Sequence, residues 1–255
     1  MEIWQIALIG IAALAAGAMN SLAGGGTFFS FPALLAVGVP PVMANASNSV
    51  ALWPASLSSA FAYRRELARY RKTLAALSIV AFLGGAAGGL LLLATRDNTF
   101  SVLIPWLLLL ATLLFAFSGQ VSRLVARLRP AGAEARRQGA GGLLFQLAVS
   151  VYGGFFGAGM GILMLASLAI QGYSDIHEIN AIKNWLAAVI YSVAVATFVF
   201  AGAVSWPHTL VMLATATLGG YLGAAVARRI PAVWLRRFII AVGGVLTAYY
   251  FQKTP

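Results

Sequence analysis

The chain has 255 residues, of which 61% are hydrophobic and only 9% charged, with a mean hydropathy of +0.89; a soluble domain carries about 25% charged residues, so an ordinary water-soluble fold is excluded and the bilayer is the expected solvent. The net charge is +11, yet the basic residues are gathered into a few short stretches, which reads as the orientation bias of a membrane protein and not as a nucleic-acid surface. There is no cysteine, and His177 and His208 stand far apart, so neither a disulfide framework, a thiol nucleophile, a metal centre nor a cofactor is expected.

The N-terminus, Met1-Glu2-Ile3-Trp4, turns apolar at once and lacks the basic region of a signal peptide, so it reads as a retained membrane segment. Apolar runs bounded by basic clusters, Pro or Gly predict segments at 3–20, 26–37, 42–62, 74–94 and 100–119 in the first half. In the second half they fall at 140–157, 160–171, 179–203, 208–227 and 233–251. A crossing needs about 17–25 residues. The runs 26–37 and 160–171 are too short and read as half-crossings. Trp4, Trp106, Trp206 and Trp234 lie near segment ends, as interfacial anchors do.

All of the 17 basic residues except Arg96, Lys183 and Lys253 fall in three clusters: 64–72, 123–137 and 228–237. Cytoplasmic placement of these clusters fixes the direction of every segment. Segments 140–157 and 160–171 then start and finish inside, whereas 3–20 and 26–37 start and finish outside. The expected fold is therefore an all-α integral membrane protein of two inverted-topology repeats. Each repeat has a broken or re-entrant helix hairpin followed by three spanning helices. The organisation is 1–119, first repeat; 120–139, basic cytoplasmic linker; 140–255, second repeat. A multi-pass protein of the inner (plasma) membrane with both termini extracytoplasmic is expected.

A shift of 135 residues tests the duplication, pairing Ala23-Gly24 with Ala158-Gly159 and Gly26 with Gly161. The same shift pairs Asn45-Ala46-Ser47-Asn48-Ser49 with Asn180-Ala181-Ile182-Lys183-Asn184, while Gly38 and Gly172 need a slip of one. Inverted repeats with broken helices are the mark of secondary transporters. Unpaired backbone is tolerated at membrane depth only where it is buried in protein or lines a wet cavity. A half-helix N-terminus offers N–H groups and partial positive charge to an anion. Gly24, Gly25 and Gly26, with Gly159 and Gly161, are read in this way. Close packing through small residues is the alternative, and it is the preferred reading of Gly84-Gly85, Gly88-Gly89, Gly219-Gly220 and Gly243-Gly244.

Lys183 is the most informative polar residue. Asp175 and Glu178 fit an Asp-x-x-Glu capping box that starts a helix at 175–176, which puts Lys183 about 12 Å along the axis. A Lys at that depth is costly unless it faces a cavity or a partner. Snorkelling, or an ion pair with Glu178, is the bland alternative. Pro40-Pro41 starts the equivalent helix of the first half, so Asn48 sits at matching depth from the other side. Asn45, Asn48 and Ser49 share one helix face, as do Asn180, Lys183 and Asn184. Both sets are candidates for a common site, with interhelical hydrogen bonding the alternative for the first. Asn20, Ser21 and Thr27 flank the first Gly break and are candidate donors, or caps of frayed helix ends.

The stretch AGAMNSLAGGGTFFSFPALLAVGVPPVMANASNSVAL, with its second copy GGFFGAGMGILMLASLAIQGYSDIHEINAIKNWLA, resembles the two motifs of the sulfite exporter TauE/SafE family, also called toluene sulfonate uptake permeases. The resemblance covers nearly the whole chain. It implies an integral membrane transporter of two related halves acting on sulfite, organosulfonates or related small anions. The family's second motif is usually richer in Gly than GAGMG, and a small hydroxyl residue is usual where this chain has Ile182-Lys183. The expected function is thus a secondary transporter of small anions by alternating access, not an enzyme. Its partners would be an anionic substrate and the lipid bilayer, without nucleic acid, and the Gly84–Gly89 face would allow a homodimer. A non-transporting membrane scaffold or an intramembrane enzyme is the competing reading. With six carboxylates, mostly at segment ends, the catalytic inventory for the enzyme is thin.

Overall fold

The computed structural model describes residues 1–22, 25–67, 71–127, 139–173, 176–226 and 232–253. Among the described residues all regular structure is helical: α1 (Ile3–Leu22), α2 (Thr27–Ala36), α3 (Pro41–Ala62), α4 (Arg64–Leu67), α5 (Arg71–Ala94), α6 (Asp97–Arg127), α7 (Ala140–Phe155), α8 (Met160–Ile170), α9 (Ile176–Phe200), α10 (Trp206–Val226) and α11 (Ala232–Lys253). Each of the ten expected segments has its helix, and α4 is a single extra turn. The short segments are short helices: α2 has 10 residues and α8 has 11, which rise only about 15 and 17 Å. Four helices, α1, α5, α6 and α9, contain stretches both long and apolar enough to cross a bilayer. The main boundary difference is in α6. No Pro interrupts the residues after 119, and the helix continues to Arg127, so the first part of the expected linker 120–139 is helical. Residues 128–138 lie outside the described residues, as does Asp175 of the expected capping box.

Local chemistry explains the ends. Pro41 opens α3 at its first helical position, where a missing N–H costs nothing. The two short helices end alike. Gly38 (φ +86°) and Gly172 (φ +95°) adopt the left-handed conformation, which Gly takes without a Cβ penalty. Gly38 N–H then bonds Leu35 O and Val39 N–H bonds Leu34 O, while Gly172 N–H bonds Ala169 O and Tyr173 N–H bonds Leu168 O. The same two-bond stop closes both helices.

Helix packing falls into matching pairs. α1 packs along α10, and α5 packs along α7. Exchanging α1, α2, α3, α5 and α6 for α7, α8, α9, α10 and α11 turns one seam into the other. The same exchange relates α5–α9 to α3–α10, α1–α2 to α7–α8 and α6–α8 to α2–α11, and it maps α3–α9 and α6–α11 onto themselves. Small residues make the seams close. A methyl group at Gly88 would overlap Val151 O, and one at Gly219 would overlap Leu14 O. Gly84, Gly85, Gly88 and Gly89 are buried against α7 and α9. They are therefore not the exposed face that was expected to allow a dimer. Gly244, in contrast, has no neighbouring atom within 4 Å, so the packing reading fails there. Outward-facing surfaces of α1, α5, α6, α10 and α11 expose Ile11, Phe82, Leu110, Leu218 and Val245, as lipid-facing helices do. Trp4, Trp106, Trp206 and Trp234 are all exposed.

Candidate functional site

The second helix break is held by the chain's own groups. Phe156 and Gly157 N–H both reach Tyr152 O, at 2.9 and 3.2 Å, and Tyr152 OH donates to Ala158 O at 2.5 Å. Gly159 (φ +74°) then aims the chain into α8. Across the interface, Asn45 Nδ2 of α3 donates to Phe155 O, at 2.7 Å, satisfying one of the last carbonyls of α7.

Between the two breaks lies a cavity of about 460 Å³, within the usual range for small-molecule sites, about 300–1,000 Å³. The first turns of both short helices reach it, through Gly25 and Thr27 on one side and Gly159, Met160, Gly161 and Ile162 on the other. Among the described residues Gly161 N–H has no main-chain partner. The cavity floor is α9, which contributes Asn180, Lys183, Asn184, Ala187 and Tyr191. Lys183 is half-buried, and among the described residues nothing bonds to its ammonium, Glu178 included. Among the described residues it is the charged residue of the lining, and none of the lining residues is a carboxylate. An uncompensated cation beside two helix N-termini gives the site a positive field suited to an anion.

Of the residues expected at the site, Asn20, Gly25, Thr27, Gly159, Gly161, Asn180, Lys183 and Asn184 line this cavity. Gly26 does not: a methyl there would overlap Ala16 O, so it serves close packing of α2 on α1. Asn45, Asn48 and Ser49 are buried beside the cavity and bonded within the protein. Asn48 donates to Thr27 Oγ1 at 3.4 Å and accepts from Ser30 Oγ; Ser49 Oγ donates to Asn45 O at 3.0 Å. Gly24 and the side chain of Ser21 lie outside the described residues.

Sequence reasoning missed Ser56 and Ser59 of α3, Tyr63 at its C-terminal end, Phe115 of α6, Gly157 and Tyr191. The α3 residues had a legible signal. Counting from Asn45 in helical steps of 3.6 gives Asn48 or Ser49, Leu52, Ser56, Ser59 and Tyr63, a stripe that is polar at every step but Leu52. On α9 the same count runs Asn180, Lys183, Ala187, Tyr191.

The cavity is one-sided. Its α3 wall comes from the half of the helix nearer the basic run at Arg64, and its α9 wall mostly from the half nearer Ile176. These wall residues, Ser56, Ser59, Tyr63, Asn180, Lys183 and Asn184, are only half-buried. The other side is closed. Phe31, Phe100 and Phe156 are buried in an edge-to-face cluster with centroids 5.7–6.5 Å apart, and Phe155 joins Phe100 at 5.6 Å. Around it, Val42 N–H bonds Asp97 Oδ1 and Ser205 N–H bonds Ser47 Oγ, both at 2.9 Å.

Comparison with known proteins agrees with this architecture. The profile of the family described as sulfite exporter TauE/SafE matches residues 9–250. The chain belongs to that family. Among its TauE/SafE relatives is a probable membrane transporter protein of Haemophilus influenzae, 29% identical over 248 residues, 95% of this chain and 93% of the relative. The probable membrane transporter protein YfcA of Escherichia coli is 27% identical over 242 residues, covering 92% and 86% of the two chains. A probable membrane transporter protein of Sinorhizobium is 28% identical over 232 residues, covering 88% and 82%. No solved structure matches the chain. Family and helices together make this TauE/SafE chain a multi-pass membrane protein.

Proposed function

We propose that this TauE/SafE protein is a secondary transporter of small anions, sulfite or organosulfonates by its family, and not an enzyme. One observation carries the reading: Lys183, without a counter-ion among the described residues, lines a cavity at the first turns of both short helices. Lys183 attracts the negative charge. Asn180, Asn184, Asn20 and Thr27 supply neutral polar partners, and Met160, Ile162 and Leu165 offer apolar surface to an organic substituent. With the basic clusters on the cytoplasmic side and both termini outside the inner membrane, the cavity is the inward-facing form of the site. The aromatic cluster around Phe100 is then the closed outer gate.

The two halves, 1–119 and 140–255, are read as inverted repeats joined by a basic linker, with rocking of one against the other providing alternating access. An outward-facing state would exchange the roles of α3 and α9. Asn45, Asn48 and Ser49, buried here, would then take the places that Asn180, Lys183 and Asn184 hold now. This accounts for polar residues that are spaced like a site yet stand closed off.

In proteoliposomes, Lys183→Met should weaken uptake of a panel of labelled anions by about ten- to a hundredfold in apparent affinity, the worth of one charge-assisted hydrogen bond of about 1.5–3 kcal/mol. Undiminished transport across sulfite, sulfonates, sulfate and carboxylates would remove Lys183 from the mechanism.

A further inference from the structure

A second recess lies on the outer side of the same two helices. It measures about 680 Å³ and is walled by α3, α5 and α9, with Arg64 at its edge. Its lining is almost wholly apolar: Leu57, Phe61, Leu74 and Trp185 form the larger surfaces. Three of these are open to the surroundings, Leu57 at 41%, Phe61 at 64% and Trp185 at 38% exposure. The recess therefore opens sideways, where a membrane-spanning chain meets lipid. The indole N–H of Trp185 is already used, donating to Ser78 Oγ at 2.8 Å.

Arg64 differs from its surroundings. Its guanidinium rests 4.2 Å from the centre of the Phe61 ring, and Nη1 donates to Phe61 O at 3.1 Å. Both contacts hold the group at the mouth of the groove, and among the described residues its other N–H donors have no partner. No carboxylate pairs with it among the described residues. Arg65, Arg69, Arg71 and Lys72 follow within a few residues, with Glu66 the one acid among them, so the run as a whole is strongly basic. Basic pockets between helices at this depth suit anionic lipid headgroups, and guanidinium is matched to phosphate.

We propose that this groove is a binding site for an anionic phospholipid. An acyl chain lies along Leu57, Phe61, Leu74 and Trp185, and the headgroup phosphate is bound by Arg64. A lipid is preferred to a second copy of this chain because the groove joins a long apolar trough to one unpaired cation. That is the charge pattern of a phospholipid, whereas the chain has only six acidic residues to offer. The proposal does not depend on what the central cavity transports.

The test is native mass spectrometry and thermal unfolding of the full chain in detergent, with phosphatidylglycerol or phosphatidylcholine of the same acyl composition. Phosphatidylglycerol should be retained at least tenfold better and should raise the melting temperature. Arg64→Gln should abolish that preference, Arg64→Lys should keep part of it, and Ala75→Trp, which fills the groove, should reduce retention of both lipids. Inorganic phosphate alone should give no stabilisation. Equal retention of the two lipids, or a preference unchanged in Arg64→Gln, would overturn the proposal. So would stabilisation by phosphate alone, or a dimer that Ala75→Trp disrupts while lipid binding is untouched. If Arg64→Gln does not fold, Arg64→Lys and Ala75→Trp decide the matter by the same comparison.

Discussion

At the scale of single residues, neighbouring glycines of the second break do different work. Gly159 stands at φ +74°, with Leu114 Cδ1 3.3 Å from where a Cβ would be. A side chain there is strained by about 1–2 kcal/mol before any crowding. Gly161 is helical and open, its nearest neighbour being Lys183 Cδ at 3.8 Å. Gly159→Ala should therefore lower the melting temperature in detergent. Gly161→Ala should leave it equal or higher, since Ala is the better helix former by about 1 kcal/mol. Yet Gly161→Ala places a methyl beside Lys183, and its transport should fall. A variant pair in which both lose stability equally, with transport following stability, would show that Gly161 belongs to the scaffold alone. Asn45 teaches the converse lesson. Its spacing suggested a ligand-facing amide, and its Nδ2 holds Phe155 O at the break of the other half.

At the scale of helices, the two close seams α5–α7 and α1–α10 carry the architecture. Lipid is as apolar as the helix surfaces, so association depends on packing through small residues. At Gly88 and Gly219 the atoms in the way are backbone, which cannot swing aside. Gly88→Ala and Gly219→Ala should each cost about 1–3 kcal/mol, the usual range for overpacking. The expected readout is a lower melting temperature and earlier aggregation on size exclusion. Gly244→Ala, with open space around it, is the control and should be no less stable than the parent chain. If Gly88→Ala matches that control, the α5–α7 seam is looser than described. The helices themselves were readable because apolar runs, Pro starts and Gly stops are local signals. The extension of α6 to Arg127 was missed because hydropathy reports where a helix leaves the bilayer, not where it ends.

At the scale of the molecule, one side is open and the other closed. The chain has no native cysteine, so single cysteines report access directly. Ser59→Cys should react with a membrane-impermeant thiol reagent applied from the cytoplasmic side. Ser49→Cys should resist reagent from both sides, and should become reactive from outside when combined with Phe100→Ala, which thins the outer cluster. Labelling of Ser49→Cys from the cytoplasmic side in the parent background would contradict the closed arrangement. A resistant double variant would show that Phe100 is not part of the closure. Placement of Pro40 and Tyr173 on the same membrane face would defeat the inverted-repeat reading as a whole.

The amino-acid sequence by itself determined that the chain is helical and membrane-embedded, where its helices lie, and that two are too short to cross. It also marked Lys183 as a charge in need of a reason. These follow from composition, from periodicity and from the cost of a cation or an unpaired amide in hydrocarbon, all properties that act along the chain. Only the tertiary structure decided which half of each polar stripe is open. Asn45 and Asn48 on α3 differ from Ser59 and Tyr63 further along the same face because Phe155, Thr27 and Ser30 close around the first pair, while the second pair lines the cavity and is only half-buried. A helical repeat specifies a face, but burial of that face depends on what the other half of the molecule brings against it.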